Sequence, residues 1–251
     1  MRLLVKLEAA KDCSSDLLYH HKLQGFIYSL LRNTEHEKLH DKKGYKFFCF
    51  SNIFPTRDMK KGEKAHLIVS SPNDEFVKTL WKQILQRIRT TIHIGDNSYN
   101  ILSARMLQPH LPRSFSFITG TPIIIRIPNY RYGNYGIKAE KPYKYVYWKP
   151  KHSFEAFIKQ LEENLIKKYN EFNNTCMERM PIFERFIFKK TVCNHIIING
   201  KEVKVFGSVW QFMFDGASRN PEKRKLLRFA LDTGLGELNS LGFGFVNVIR
   251  C

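Results

Sequence analysis

The chain has 251 residues, 43% hydrophobic and 25% charged, a composition that excludes a disordered or low-complexity protein and allows one large domain or two small ones. Lys and Arg number 41 against 23 Asp and Glu, a formal net charge of +18 that points to nucleic acid first and an anionic membrane second. Residues 1–110 carry 18 basic and 11 acidic groups and residues 111–251 carry 23 and 12, which excludes a basic tail on a neutral body.

The predicted elements follow in chain order. Residues 1–8 alternate, with Leu3, Val5 and Leu7 on one side, and predict a strand. Ser14, Ser15 and Asp16 are N-cap candidates for a helix over about 17–33, with Leu23, Phe26, Ile27, Leu30 and Leu31 as its apolar stripe. Residues 45–52 and 65–70 read as strands joined by a charged loop. Residues 72–74 open a second helix, with Phe76, Val77, Leu80, Trp81, Ile84 and Ile88 on one face, and a fourth strand fits near 99–107. This β-α-β-β-α-β order is the ferredoxin-like unit. After Pro109 and Pro112 it repeats. Residues 114–127 are strand-like, and Phe154, Phe157, Ile158, Leu161, Leu165 and Ile166 mark a helix. Residues 183–192 and 203–214 form a strand hairpin, Asn220-Pro-Glu starts a helix through Leu231, and 242–249 is the last strand. The sequence predicts an α+β protein of two tandem ferredoxin-like (RRM-like) domains, 1–110 and 111–251, alike in pattern but not in residue identity.

The five cysteines, Cys13, Cys49, Cys176, Cys193 and Cys251, are odd in number and widely spaced, which argues against a disulfide framework or zinc site and for a reducing cytosol. No signal peptide is read, and no apolar run approaches about 18 residues, so a soluble, cytoplasmic protein away from the membrane is expected. There is no H-E-x-x-H, paired-Asp motif or Cys/His cluster, so neither metal nor cofactor is expected.

Three stretches suit an anionic partner. Residues 130–151 hold six of the 11 tyrosines, Trp148, and Arg131, Lys138, Lys141, Lys144, Lys149 and Lys151 against the single acid Glu140. They read as a single-strand RNA platform or as a twisted hairpin packing tyrosines at its base. The helix over 219–231 carries Arg219, Lys223, Arg224, Lys225 and Arg228 opposite Leu226, Leu227, Ala230 and Leu231, a face for phosphates or for solvent. Residues 234–248 contain two Gly-x-Gly pairs, Gly234/Gly236 and Gly242/Gly244. Glycine permits positive φ and close approach, and successive N–H groups can form an anion nest. Backbone contact with RNA is preferred to a simple tight turn. A dinucleotide fingerprint is excluded by order, because here a helix precedes the loop and a strand follows it.

At about 100° per residue, His21, Gln24, Tyr28 and Arg32 fall together on the flank of the first helix. His40 lies in a charged loop with Lys42, Lys43 and Lys46, a setting suited to proton transfer beside a phosphate. His21 and His36 are its alternatives, and Asp41 either orients His40 or is merely solvated, the second being preferred.

The glycine signature before a terminal strand resembles that of the CRISPR repeat-RNA endoribonucleases, the Cas-six family of the RAMP superfamily. Leu23-Gln-Gly-Phe-Ile-Tyr28 is similar to the family's first-helix segment ending in a catalytic tyrosine. Leu39-His40-Asp followed by Gly44-Tyr-Lys46-Phe-Phe is similar to its loop with a histidine and, six residues on, a lysine. The resemblance spans the chain. It implies metal-independent cleavage of precursor CRISPR RNA within repeats, by attack of a ribose 2′-OH on the adjacent phosphorus, leaving a 2′,3′-cyclic phosphate and a 5′-OH. It implies acid–base roles for Tyr28 and His40, of undecided order, and charge stabilisation by Lys46. The expected RNA-binding residues are Gly234, Gly236, Gly242, Gly244, Arg219, Lys223, Arg224, Arg228 and Lys144. The expected partners are repeat RNA and a CRISPR effector complex, with the protein a monomer or homodimer. A non-catalytic repeat-RNA-binding subunit and a general RNA-binding protein are the rival readings.

Overall fold

A computed structural model describes residues 1–15, 18–138, 143–198, 200–215 and 220–250. The first sheet takes β1 (Arg2–Ala9), β2 (Cys49–Phe50), β3 (Lys64–Ser70), β4 (Thr91–Ile94) and β5 (Asn97–Leu107) in the antiparallel order β2-β3-β1-β5-β4. Helices α1 (Tyr19–Leu31) and α2 (Asp74–Leu85) cover one face. The alternation in β1 sends Leu3, Val5, Leu7 and Ala9 beneath them, against Leu23, Ile27 and Leu30 of α1 and Phe76, Val77, Leu80 and Ile84 of α2. Asn73 caps α2, its side chain accepting from Phe76 N–H at 3.2 Å.

The second sheet takes β6 (Ser114–Thr119), β9 (Arg185–Ile198), β10 (Lys201–Asp215) and β11 (Val246–Arg250) in the order β11-β6-β10-β9. Between β6 and the following helix, β7 (Arg126–Pro128) and β8 (Tyr145–Tyr147) make a separate two-stranded ribbon. Helix α3 (Phe154–Asn173) is capped by Ser153, and α4 (Pro221–Thr233) by Asn220 with Pro221 in its first turn. Their core centres on Trp210, which stacks on Phe157 at 4.3 Å beside Trp148 at 5.4 Å. Both sheets have the ferredoxin-like strand order, with β4 an added edge strand on the first.

Several local expectations change. The cap residue of α1 is Leu18, without a side-chain cap bond; Ser14 and Ser15 precede it, and Asp16 lies outside the described residues. The strand expected over 45–52 shrinks to Cys49–Phe50, because Gly44 at φ 86° and Phe47 at φ 52° interrupt an extended path. The single stretch 114–127 divides at Gly120–Pro122 into β6 and β7. The last strand begins at Val246 rather than Gly242, since Gly242 and Gly244 hold left-handed φ of 84° and 72°. In 130–151 the two readings share the stretch: Tyr132 and Tyr135 pack on the second core, whereas Tyr130 is 74% exposed and Tyr143 is exposed. Glu140 and Lys141 lie outside the described residues.

The two halves are joined by specific contacts. From β1, Arg2 reaches the carbonyls of Leu231 at 2.8 Å and Val246 at 2.5 Å and the Asn247 side chain at 2.9 Å. Its guanidinium is buried over the Phe245 ring, and this burial lowers its pKa.

Candidate active site

Tyr28 occupies the last turns of α1, half-buried on its flank. His40 ends a 3-10 turn, Glu37–His40, and Lys46 lies on the segment entering β2. The fold gathers the three. Lys46 Nζ donates to the Tyr28 hydroxyl at 2.9 Å and to the His40 carbonyl at 2.6 Å. The His40 ring meets the Tyr28 ring edge-on, 4.9 Å between centroids, and its side chain is 67% exposed. His40 Nδ1 lies 2.8 Å from Asp41 Oδ1, so Asp41 is a bonded neighbour rather than a merely solvated one. Of the alternatives, His36 packs edge-on against Phe76 at 5.5 Å and pairs with Glu35, which places it on the α2 side. His21 is exposed on α1, two turns before Tyr28.

Burial pushes the Tyr28 hydroxyl up to about 12, with the polar Ser240 side chain acting in the opposite sense. The phenol therefore keeps its proton at neutral pH. Partial burial lowers the Lys46 ammonium, with Asp41 opposing.

Ser240 belongs to the glycine loop, which lies along α1. The Ser240 carbonyl accepts from Gln24 Nε2 at 2.8 Å, and the Leu241 carbonyl lies 2.8 Å from His20 Nδ1. The flank bonded to the loop is thus His20 and Gln24, at i and i+4, with His20 in the place expected for His21. His20 is fully buried, stacks on Phe243 at 4.1 Å, and has its pKa lowered to about 4 by that burial.

The four glycines are buried, and the expected anion nest is corrected at Gly234, Gly242 and Gly244. Gly234, Gly242 and Gly244 donate their N–H groups to Ala230, Asn239 and Pro122 carbonyls, so these amides are engaged within the protein. Close packing demands glycine here. A Cβ on Gly244 would lie 1.8 Å from the Leu235 oxygen, and one on Gly242 would lie 2.4 Å from the Phe50 ring.

The basic residues of α4 also turn inward. Lys223 is buried and pairs with Glu184, and Arg224 donates to the Leu111 and Pro112 carbonyls. Phosphate contact by these two is therefore replaced by structural roles. Arg228 is partly exposed, 3.6 Å from Asp232. Lys144 is exposed, and Arg219 lies outside the described residues.

Lys168 on α3 and Asn239 in the loop escaped the sequence reading. Lys168 is 1% exposed and donates to the Gly234 carbonyl at 2.7 Å, the Gly236 carbonyl at 3.2 Å and Asn239 Oδ1 at 2.9 Å. Burial lowers its pKa to about 7. A signal existed: Lys168 falls three residues after Leu165 and seven after Leu161, where the buried stripe of α3 calls for an apolar residue. Among the described residues no group of three or more His, Cys, Asp or Glu is placed to hold a metal ion, and no helix is long and apolar enough to cross a membrane.

Comparison with known proteins bears on this arrangement. The family model described as CRISPR associated protein Cas6, C-terminal, matches residues 106–248. The CRISPR-associated endoribonuclease Cas6 2 of Methanocaldococcus jannaschii is 34% identical over 260 residues, covering 100% of both chains. The CRISPR-associated endoribonuclease Cas6 of Haloferax mediterranei is 31% identical, covering 100% of this chain and 94% of that one. Among solved structures, a CRISPR associated protein Cas6 aligns with TM-score 0.72 at 24% identity, covering 100% of this chain and 99% of the other. An RAMP protein binding different RNA substrates aligns with TM-score 0.70 at 20% identity, covering 100% of both. The two structural likenesses show the tandem ferredoxin-like fold. With its C-terminal half matched by the family model and its full length by curated relatives, the chain belongs to the Cas6 family.

Proposed function

We propose that this protein is an endoribonuclease that cuts precursor CRISPR RNA within its repeats without metal. The observation that carries the reading is the convergence of Tyr28, His40 and Lys46, drawn from a helix, a 3-10 turn and a strand entry, in mutual contact beside an exposed imidazole. The family relatives named CRISPR-associated endoribonucleases supply the substrate class.

In the proposed reaction a ribose 2′-oxygen attacks the adjacent phosphorus, the phosphorus–O5′ bond breaks, and a 2′,3′-cyclic phosphate and a 5′-OH result. The 2′-hydroxyl proton must leave and the O5′ must gain one. His40, solvent-facing and held by Asp41, takes the first proton. Tyr28, whose burial keeps it protonated at neutral pH, donates toward the oxygen that gains charge. The Lys46 ammonium has three donors. Tyr28 and the His40 carbonyl take two, and the third serves a phosphoryl oxygen as its charge develops. The RNA would cross a basic surface shared by domains 1–110 and 111–251, with Lys144 among its contacts. Transfer of the product to an effector complex, by a monomer or a homodimer, belongs to the same reading.

The test is incubation of labelled repeat RNA with the protein in EDTA, beside a substrate with 2′-deoxyribose at the mapped cut. A single cut abolished by the 2′-deoxy group supports the proposal. Loss of activity in EDTA restored by a divalent ion overturns the metal-free step, and tight binding without a cut leaves a repeat-RNA binder.

A further inference from the structure

The ribbon of β7 and β8 pairs Arg126 with Tyr147, Ile127 with Val146 and Pro128 with Tyr145. Paired residues of an antiparallel ladder share a face, so the two faces of the ribbon differ in chemistry. Ile127 is buried in the second core and Val146 packs on it. Arg126, Pro128, Tyr145 and Tyr147 take the other face, where Tyr145 is 38% exposed. Phe206 of β10 extends this face: its ring lies 6.2 Å from that of Tyr147, which meets Tyr145 edge-on at 5.5 Å. Cations sit on the rings, the Arg126 guanidinium 4.9 Å from the centre of Tyr145 and the Lys149 ammonium 3.7 Å from that of Phe206. Arg126 is paired with Glu237, whereas Lys144, Lys149 and Lys204 have no acidic partner among the described residues. The face adjoins the candidate active site through the glycine loop. Arg126 N–H donates to Glu237 Oε1 at 2.9 Å, and Tyr147 packs on the same small core as Leu238 and Leu241. The other side of that loop is bonded to α1 through His20 and through Gln24, one turn before Tyr28.

We propose that this face, Tyr145 with Tyr147 and Phe206, is a stacking site for unpaired bases of the bound RNA, with Lys144, Lys149 and Lys204 meeting the flanking phosphates. This rests on the reading of repeat RNA as the substrate given above. Rings and cations together select the occupant. A duplex hides its base faces and would use the cations alone, and an apolar protein surface would strip water from the lysines without pairing them. A single strand offers a π-face and a phosphate at every nucleotide. The glycine loop lies between the ribbon and α1, so a strand held beside Tyr28 crosses the loop to reach Tyr145. Stacking there accepts any base, so the site holds the strand and leaves sequence choice to other contacts.

The experiment uses the full chain and labelled repeat RNA, with 2′-deoxyribose at any mapped cut. 2-Aminopurine placed at successive positions reports stacking as a loss of its fluorescence. In the parent a short run of positions should darken on binding. Tyr145→Ala should restore emission at those positions and weaken binding about 10-fold, the effect of losing one base–aromatic stack. Tyr145→Phe, which keeps the ring, should behave as the parent. Lys149→Gln should lower the log–log salt slope by about 0.7, and Tyr145→Ala should leave that slope unchanged. Unchanged affinity and emission in Tyr145→Ala overturn the inference and leave the face to a protein partner. Photocrosslinking of 4-thiouridine repeat RNA to the parent needs no variant: adducts on residues 143–149 or 206 support the inference, and their absence with RNA bound overturns it. Cleavage is not read, so the two levels separate. A chain that binds and never cuts leaves the stacking site standing, and a chain that cuts while the ribbon takes no adduct keeps only the catalytic reading.

Discussion

The segment carrying His40 and the loop carrying Ser240 flank the same tyrosine but are built in opposite ways. The His40 side is exposed, its 3-10 turn buries no residue, and its links to Tyr28 are one lysine and one ring edge. The loop side is buried, its glycines exclude any Cβ, and a lysine, an asparagine, a glutamine and a histidine hold its backbone. The contrast teaches that exposure and rigidity are assigned to different halves of the chain.

Substitutions can break this contrast, and the largest effect is expected at Gly244. Gly244→Val places a Cβ into the Leu235 carbonyl at a φ of 72°, so denaturant melts should show a loss of several kcal/mol, on the order of 4. A variant melting like the parent would mean that the loop yields easily. On the open side, His40→Ala should melt normally yet cut about 10²- to 10⁴-fold more slowly, with repeat affinity kept. Unchanged cleavage would return the role to His21 or His36.

Acid should reach the closed side through His20. Its folded pKa of about 4 lies below the ordinary 6.5, so the unfolded chain binds its proton first. The His20 contribution is complete above about pH 6.5 and is lost as pH falls toward 4, by at most about 3 kcal/mol. The difference between the pH–stability curves of the parent and His20→Gln isolates it, and parallel curves would refute it. The smallest effect is expected at the surface. Lys144→Ala should lower the log–log salt slope of RNA binding by about 0.7, whereas Lys223→Gln should leave that slope alone and reduce stability. A reversed result would make Lys223 the phosphate contact.

The fold was legible because its signals are local. Alternation in residues 1–8, the apolar stripes of α1 to α4, and Asn220-Pro221 each act over a few residues and survive in the structure. Strand limits were less so. Positive φ at Phe47 and the split at Gly120–Pro122 depend on what the chain packs against, and β4 is a four-residue hairpin arm with little signal of its own. Spacing and resemblance singled out Tyr28, His40 and Lys46, which the fold brings into contact. His20 and Gln24 meet the Leu241 and Ser240 carbonyls across the seam between halves, and Lys168 meets the glycine loop from a helix far away in the chain, which a one-dimensional pattern does not reveal. The charge reading of α4 erred for a related reason: Lys223 and Arg224 look like surface cations until Glu184 and the Leu111–Pro112 carbonyls are brought beside them.

The seam itself is written mostly in main-chain oxygen. Arg2 grips the carbonyls of Leu231 and Val246, and Gln24 and His20 those of Ser240 and Leu241. Every residue type carries such an oxygen, so the donors recognise the curve of the loop and not its spelling. Exchange of side chains along that curve leaves the docking intact wherever the glycines keep its shape, while loss of a single donor on the facing side removes information that no neighbour repeats.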